Sequence, residues 1–223
     1  MRAATLLLAL TLTGQTPAPA PAASAAPSAA PVADCTPRTE PLGAIGRASV
    51  VTFTGAVYGD HVCALVLNLA DDGYRASFAA ASGTAPIEVA LTPGAGGSLG
   101  IDAGGALRAV PGAPSASDAV GVGPFIIAPG GTFAAPAGAN DEQPLVVLAY
   151  AGQRIVLLAT SAVTPVDLAD ALQRQPDLFG IVAPERAIVL AHGPGSTISV
   201  RLHATILGTP PPTAQLIAIA PRP

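Results

Sequence analysis

The sequence predicts an α+β fold, a large mixed but mainly antiparallel β-sheet with few helices. Three observations lead there. Short apolar runs recur along the chain between glycine, proline and aspartate turns, the punctuation of strands. Only one stretch, beginning at Thr164-Pro165, carries clear helix-start chemistry. The two patterns meet in residues 153–203, which read as strand, capped helix, strand, glycine turn and strand, while the remainder is strand after strand. No internal repeat is visible.

The leading residues stand apart. Met1-Arg2 followed by the apolar run Ala3–Leu12 reads as a secretory signal peptide. The run is too short to anchor in a bilayer. Small-residue cleavage patterns occur at Ala18-Pro-Ala20 and Ala23-Ser-Ala25, so the leader is placed at residues 1–25. An Ala/Pro/Ser-rich linker is expected over 26–45, because such a segment buries too little apolar surface to offset its ordering entropy. One domain is expected over 46–220.

Within that domain, residues 50–55 and 62–69 form an expected hairpin about Tyr58-Gly-Asp60. Residues 74–80 fit a strand or a short helix. Strands follow at 86–91, 98–101 and 106–110, with a glycine-rich loop over 92–97. Residues 121–133 read as two short strands about a Pro129-Gly-Gly turn, and 144–149 as another strand. Arg154–Thr160 is a buried strand by its apolarity and length. The helix after Thr164-Pro165 places Asp167 and Asp170 near the positive end of its dipole. Leu168, Ala169 and Leu172 share a face, and Pro176 ends the run. Ala187–Leu190 and Thr197–Leu202 are the last strands before Thr209-Pro-Pro-Pro212 breaks the chain, and Gln215–Ile219 suits a sheet edge. If 154–160 and 187–190 are parallel neighbours, the turn Ala191–Ser196 lies at a carboxyl end of the sheet, where ligands gather in α/β structures.

Composition narrows the function classes. Half of the residues are hydrophobic, 11% are charged, and the formal net charge is −4. There is no basic patch, which argues against nucleic acid as a partner. No span is expected to cross a membrane in the mature chain, and no cofactor is implied. The two cysteines, Cys35 and Cys63, are most simply a disulfide in a secreted chain. A catalytic thiol and two free thiols are the other readings.

The candidate chemistry lies in the late turn. His192 is the one titratable side chain there and could act as a general base or replace a lost ligand, or simply be an exposed turn histidine. A metal site pairing His192 with His203 would need Asp167, Asp170 or more distant carboxylates. Gly193-Pro-Gly-Ser196 could cradle a phosphate or sugar through backbone N–H groups, although Pro194 removes one donor. Ser196 lacks the strand-to-helix elbow of an activated serine. Asp71-Asp72 and Asp141-Glu142 are solvated loop charges.

Four groups of residues together resemble the phosphodiester glycosidase family. Gly123-Pro-Phe125 and Pro129-Gly-Gly-Thr-Phe133 keep the spacing of a family glycine-asparagine-phenylalanine and proline-asparagine-glycine-X-phenylalanine, with Pro124 and Gly130 in place of the asparagines. Val89-Ala-Leu-Thr-Pro-Gly94 and Leu99-Gly-Ile-Asp102 resemble a further turn and strand, with Thr92 in place of asparagine. Val163-Thr-Pro-Val-Asp-Leu-Ala169 and Val189-Leu-Ala-His-Gly-Pro-Gly-Ser-Thr197 resemble the late helix and glycine turn, with Ala191 in place of aspartate. Phe53-Thr-Gly-Ala-Val-Tyr58 with the two cysteines resembles the start of short bacterial members. The resemblance implies hydrolysis of a sugar phosphodiester or envelope glycan, and a carbohydrate or sugar-phosphate ligand. It places Thr92, Gly94, Gly123, His192, Gly193 and Ser196 nearest the site, and makes the turns at 92–97, 129–131 and 192–195 the ones to meet. Glycosidic cleavage ordinarily needs two carboxyl groups. The substituted positions carry none, so the chemistry is expected to be reduced or absent.

Overall fold

The computed structural model describes residues 35–55, 59–80, 83, 85–114, 118–201, 205–207 and 215–223. The leader, the first part of the linker, Tyr58, Leu202, His203 and the 209–212 break lie outside them. In chain order the strands are β1 (Arg38–Pro41), β2 (Gly46–Gly55), β3 (Gly59–Leu69), β4 (Tyr74–Ala79), β5 (Ile87–Leu91), β6 (Gly97–Ile101), β7 (Leu107–Pro111) and β8 (Ala119–Val122). Then come β9 (Phe125–Ala128), β10 (Thr132–Phe133), β11 (Gln143–Ala151) and β12 (Arg154–Val163). The helix α1 (Pro165–Arg174) and a 3-10 turn at Pro176–Phe179 follow, then β13 (Arg186–His192), β14 (Ile198–Val200), β15 (Thr205–Leu207) and β16 (Gln215–Pro221).

These strands form three sheets. The largest has the order β1-β2-β3-β12-β11-β13-β9-β10. A second runs β15-β14-β5-β16-β4, and a third β7-β6-β8. Among the described residues every strand pairing is antiparallel. The large sheet is covered on both faces. Val146, Leu148, Leu157, Ile188 and Leu190 point into a core shared with the smaller sheets. Val147, Ala149, Val156, Leu158 and Val189 point the other way, toward Leu168 and Leu172 of α1 and toward Phe179. This explains why β11, β12 and β13 read as unbroken apolar runs, since a strand buried on both faces has no polar side to show.

The helix begins where its sequence says it should. The Thr164 hydroxyl accepts from the Asp167 N–H at 3.0 Å and donates to the Asp167 carboxylate at 2.8 Å. Thr164 is thus the N-cap, with Pro165 at the first helical position, where its missing N–H costs nothing. Leu168, Ala169 and Leu172 are buried as their spacing predicts.

Three expectations are corrected and one open reading is settled. β12 and β13 are not neighbours, because β11 lies between them and pairs antiparallel with both. They still run in the same direction, and α1 crosses over β11 to connect them. Of residues 74–80, open between strand and helix, Tyr74–Ala79 is strand, since β4 pairs along its whole length with β16. β16 is no edge strand: it sits between β5 and β4, with Leu216–Ile219 buried. The sheet also begins before residue 46. Arg38–Pro41, inside the stretch read as linker, is β1 and pairs with β2. Covalent chemistry holds that start in place. Cys35 and Cys63 form a disulfide with Cα atoms 5.5 Å apart, tying the chain entering β1 to buried β3. A loop of this size contributes about 3 kcal/mol by constraining the unfolded chain.

Candidate functional site

The carboxyl end of β13 is where the sequence-predicted residues gather. Two hydrogen bonds clamp the loop after β5 onto β13 and the strand beyond: the Thr92 N–H donates to the Leu190 carbonyl at 2.9 Å, and the Ala90 N–H to the Thr197 carbonyl at 3.0 Å. The same loop is stitched to β8 by Gly94 N–H to the Gly121 carbonyl (3.2 Å) and Gly96 N–H to the Val122 carbonyl (3.1 Å). Glycine is demanded by this seam. A Cβ on Gly94 would lie 2.6 Å from the Val122 carbonyl oxygen, and one on Gly123 would lie 2.9 Å from that of Val189. Thr92 and Gly123 are therefore brought beside Leu190 and Val189, and Gly94 against Val122 and Gly123, by backbone contact.

The late turn closes on β11. Gly193, at φ +77°, donates its N–H to the Pro144 carbonyl at 3.0 Å, and the Ser196 N–H donates back to the Gly193 carbonyl at 3.0 Å. The Ser196 hydroxyl also donates to Pro144, at 3.1 Å. Ser196 is buried and its hydroxyl is turned to a backbone carbonyl rather than to a base. The Gly193 and Ser196 amides, named as a cradle for an anion, are engaged within the protein. His192 is exposed and pairs in register with Leu145.

A β-bulge decides where Ala191 points. Val147 faces Val189 and Val146 faces Ala191, so Leu190 is the extra residue. Strict alternation would send Ala191 to the opposite face from Leu190. The bulge returns both to the core between the sheets, and Ala191 is 0% exposed. The position where the resemblance expects an aspartate is thus sealed in apolar surroundings.

Sequence reading missed one group here. The Thr197 hydroxyl is buried and among the described residues has no hydrogen-bond partner, a state that costs a hydroxyl about 1–3 kcal/mol. Its place directly after Ser196 was the only available signal, because burial of a β14-flanking threonine depends on pairing that local sequence does not encode.

The turn at 129–131 does not join the others. Gly131 donates its N–H to the Glu185 carbonyl at 2.9 Å, and its own carbonyl accepts from the Gln173 side chain at 2.8 Å. Glu185 precedes β13 and His192 ends it, a separation of about 20 Å along an extended strand. Gly130, Gly131, Gln173, Pro184 and Glu185 line a separate surface hollow of about 500 Å³. The loop at 92–97 joins β13 at Leu190, two residues before His192, and the 129–131 turn lies at the other end of the same strand.

Polar groups are concentrated at that other end. The Arg186 guanidinium sits 5.6 Å from the centre of the Tyr150 ring and donates to the Ala109 carbonyl at 3.3 Å. Burial pushes the Tyr150 hydroxyl well above the ordinary tyrosine range, with Tyr74 adding to the shift. Burial likewise raises Tyr74, whose hydroxyl accepts from the Leu107 N–H at 3.3 Å. Among the described residues no cluster of three or more His, Cys, Asp or Glu side chains could hold a metal ion. His203 lies outside them.

Comparison with solved structures places this architecture. The catalytic domain of zebrafish N-acetylglucosamine-1-phosphodiester alpha-N-acetylglucosaminidase, solved auto-inhibited by its pro-peptide, superimposes with a TM-score of 0.57 over 87% of this chain and 85% of that one, at 9% identity. The chain shares that domain's fold. A hypothetical protein from Synechocystis superimposes with a TM-score of 0.56 at 10% identity, over 79% of this chain, which spans 62% of the Synechocystis protein's length. No protein-family model matches the sequence, and no curated protein matches it. At such identities the likeness is one of backbone, and it does not transfer any residue's role. No described helix is long and apolar enough to cross a membrane.

Proposed function

We propose that the protein is an exported, phosphodiester-glycosidase-like domain that takes a carbohydrate or sugar-phosphate ligand beside Thr92, Gly94, Gly123, His192, Gly193 and Ser196. Its ancestral hydrolysis of a sugar phosphodiester or envelope glycan is reduced or lost. The observation that carries this reading is Ala191. The fold is that of a catalytic domain acting on an N-acetylglucosamine phosphodiester, yet the position the resemblance assigns to an aspartate holds a methyl group buried in the core. Two carboxyl groups, or one with a positioned water, are what glycosidic cleavage needs. His192 is the remaining titratable side chain of the turn and would act there as a general base. Export is supported by the leader-like start of the sequence and by the Cys35–Cys63 disulfide, which suits an oxidising compartment.

A second reading is a non-catalytic binding or structural module of the envelope. The Ser196 hydroxyl, held on a carbonyl, favours it, because no nucleophile is then poised. One assay separates the two. Purified full-length protein is incubated with an aryl phosphodiester and with an N-acetylglucosamine 1-phosphodiester. We expect kcat/KM far below the ~10⁴ M⁻¹s⁻¹ typical of the slower enzymes. Turnover at or above that level, abolished by His192→Ala, would establish a working hydrolase and overturn the proposed loss.

A further inference from the structure

A small polar hollow lies on the outward face of the large sheet, where β1, β2 and β3 extend beyond the cover of α1. Strand alternation assembles it. Arg47, Ser49 and Val51 follow at every second position of β2 and so face one way. Register adds their partners on the same face: Asn68 opposite Arg47, Val66 opposite Ser49, and Thr39 of β1 opposite Ser49. The 3-10 turn Pro176–Phe179 closes one side, bringing Asp177 to the rim and buried Phe179 to the floor. The enclosed volume is about 160 Å³. This place is remote from the late glycine turn, since β12 and β11 separate β3 from β13.

The uncharged polar groups of the hollow are held in position, while Arg47 and Asp177 are exposed at its edge. Asn68 is buried, and its amide nitrogen donates to the Gly180 carbonyl at 3.1 Å, which leaves its carbonyl oxygen to accept. The Thr39 and Ser49 hydroxyls lie 3.1 Å apart. Arg47 and Asp177 line the same hollow, yet among the described residues no ion pair joins them or engages either one. A guanidinium and a carboxylate thus share one small space without neutralising each other.

The geometry points to a binding site for a small zwitterion of the amino-acid type, its carboxylate on Arg47 and its ammonium on Asp177. A guanidinium presents a planar fork that matches a carboxylate with two parallel hydrogen bonds, and Asp177 complements an ammonium. A simple anion would face Asp177, a simple cation would face Arg47, and a neutral polyol would desolvate both charges without pairing either. Size selects in the same direction. At roughly 30 Å³ per water molecule the hollow holds about five, enough to admit glycine or alanine with room to spare. It falls below the ~300 Å³ at which sites for drug-sized ligands begin.

The test is titration of the full-length protein with glycine and with alanine, followed by calorimetry or by amide shifts in NMR spectra. Acetate, methylammonium and glucose serve as comparison probes. Saturable binding of an amino acid is expected, with acetate and methylammonium at least tenfold weaker. Arg47→Ala and Asp177→Asn should each weaken alanine binding at least tenfold. Both side chains lack ion-pair partners, so the thermal midpoint should stay unchanged and folding should not confuse the result. The assignment is overturned if neither amino acid binds saturably, if both variants bind as the parent does, if acetate binds as tightly as alanine, or if glucose is the tighter ligand. None of these outcomes bears on the hydrolase assay, which reads the other site.

Discussion

The two ends of β13 solve the same problem in opposite ways. At the amino end, buried polar side chains are kept and given partial satisfaction. Arg186 lies over Tyr150 and reaches the Ala109 carbonyl, while among the described residues the Arg186 Nε has no hydrogen-bond partner. At the carboxyl end, the side chains are small or apolar and the contacts are backbone to backbone. Thr92 bonds to Leu190, Gly193 to Pro144, and Gly94 and Gly123 allow strands to approach more closely than a Cβ permits. The difference teaches that one end of a strand can be held by backbone contacts alone while the other is held through polar side chains. A seam of glycines is maintained by packing alone.

The contrast can be broken most sharply at Ala191. Introducing Ala191→Asp should destabilise the protein by about 3–5 kcal/mol at neutral pH, because the bulge aims the new carboxylate into the core with no partner. Burial raises the folded-state pKa of that carboxyl above its unfolded value of about 3.9. Its stability penalty is therefore small below pH ~4 and grows as pH rises toward the folded pKa. Urea unfolding at a series of pH values measures this. Near-parental stability at pH 7 would mean that residue 191 faces a solvated cleft.

A smaller effect separates the two glycine turns. Gly123→Ala places a Cβ 2.9 Å from the Val189 carbonyl oxygen and should lower stability by about 1–3 kcal/mol through overpacking. Gly130 has open space around it, and at φ +98° the alanine variant meets only backbone strain, about 1–2 kcal/mol. Denaturant midpoints of the two variants should keep that order. A reversed order would show that the seam at the carboxyl end is loose.

The smallest effect is read at alkaline pH. Tyr74 and Tyr150 both have hydroxyl pKa values raised above 10.0 by burial. A group with a raised folded pKa contributes stability that is fully present below its unfolded value and is lost as pH rises beyond it. Stability should therefore be flat up to about pH 10 and decline above it, with tyrosinate absorbance from these two residues appearing together with unfolding. Ionisation of both at pH 10 in the folded state would show that the amino end of β13 is open to water.

Much of the fold is legible without coordinates. The capped helix, the β2–β3 hairpin and the strands expected at 86–91, 144–149 and 154–160, each within a few residues of the observed ends, follow from turn residues and apolar runs that act within a few residues of one another. The errors come from elsewhere. β16 reads as an edge strand because a proline run precedes it, yet its apolar alternation finds β4 and β5 on either side. Arg38–Pro41 reads as linker because it continues an Ala/Pro/Ser-rich stretch, yet β2 offers it a free edge and the disulfide holds it there. The separation of β12 from β13 is invisible because β11 precedes both and returns between them.

The candidate site divides along the same line. That Thr92, Gly94, Gly123, Gly193 and Ser196 sit in loops beside strand ends was readable from their glycine and proline neighbours, while His192, read as part of the late turn, is the last residue of β13. That Ala191 faces the core required the bulge at Leu190, and the distance between the Gly130 turn and the late turn required the direction of β13. Sequence alone settled the local choices, namely which segments extend, where the helix starts and which groups are available for chemistry, because those rest on short-range dihedral preferences and nearby hydrogen bonds. Only tertiary structure decided partners, faces and distances, because these depend on which strands pair across long separations, and a one-residue shift in that pairing turns every side chain to the other side of the sheet.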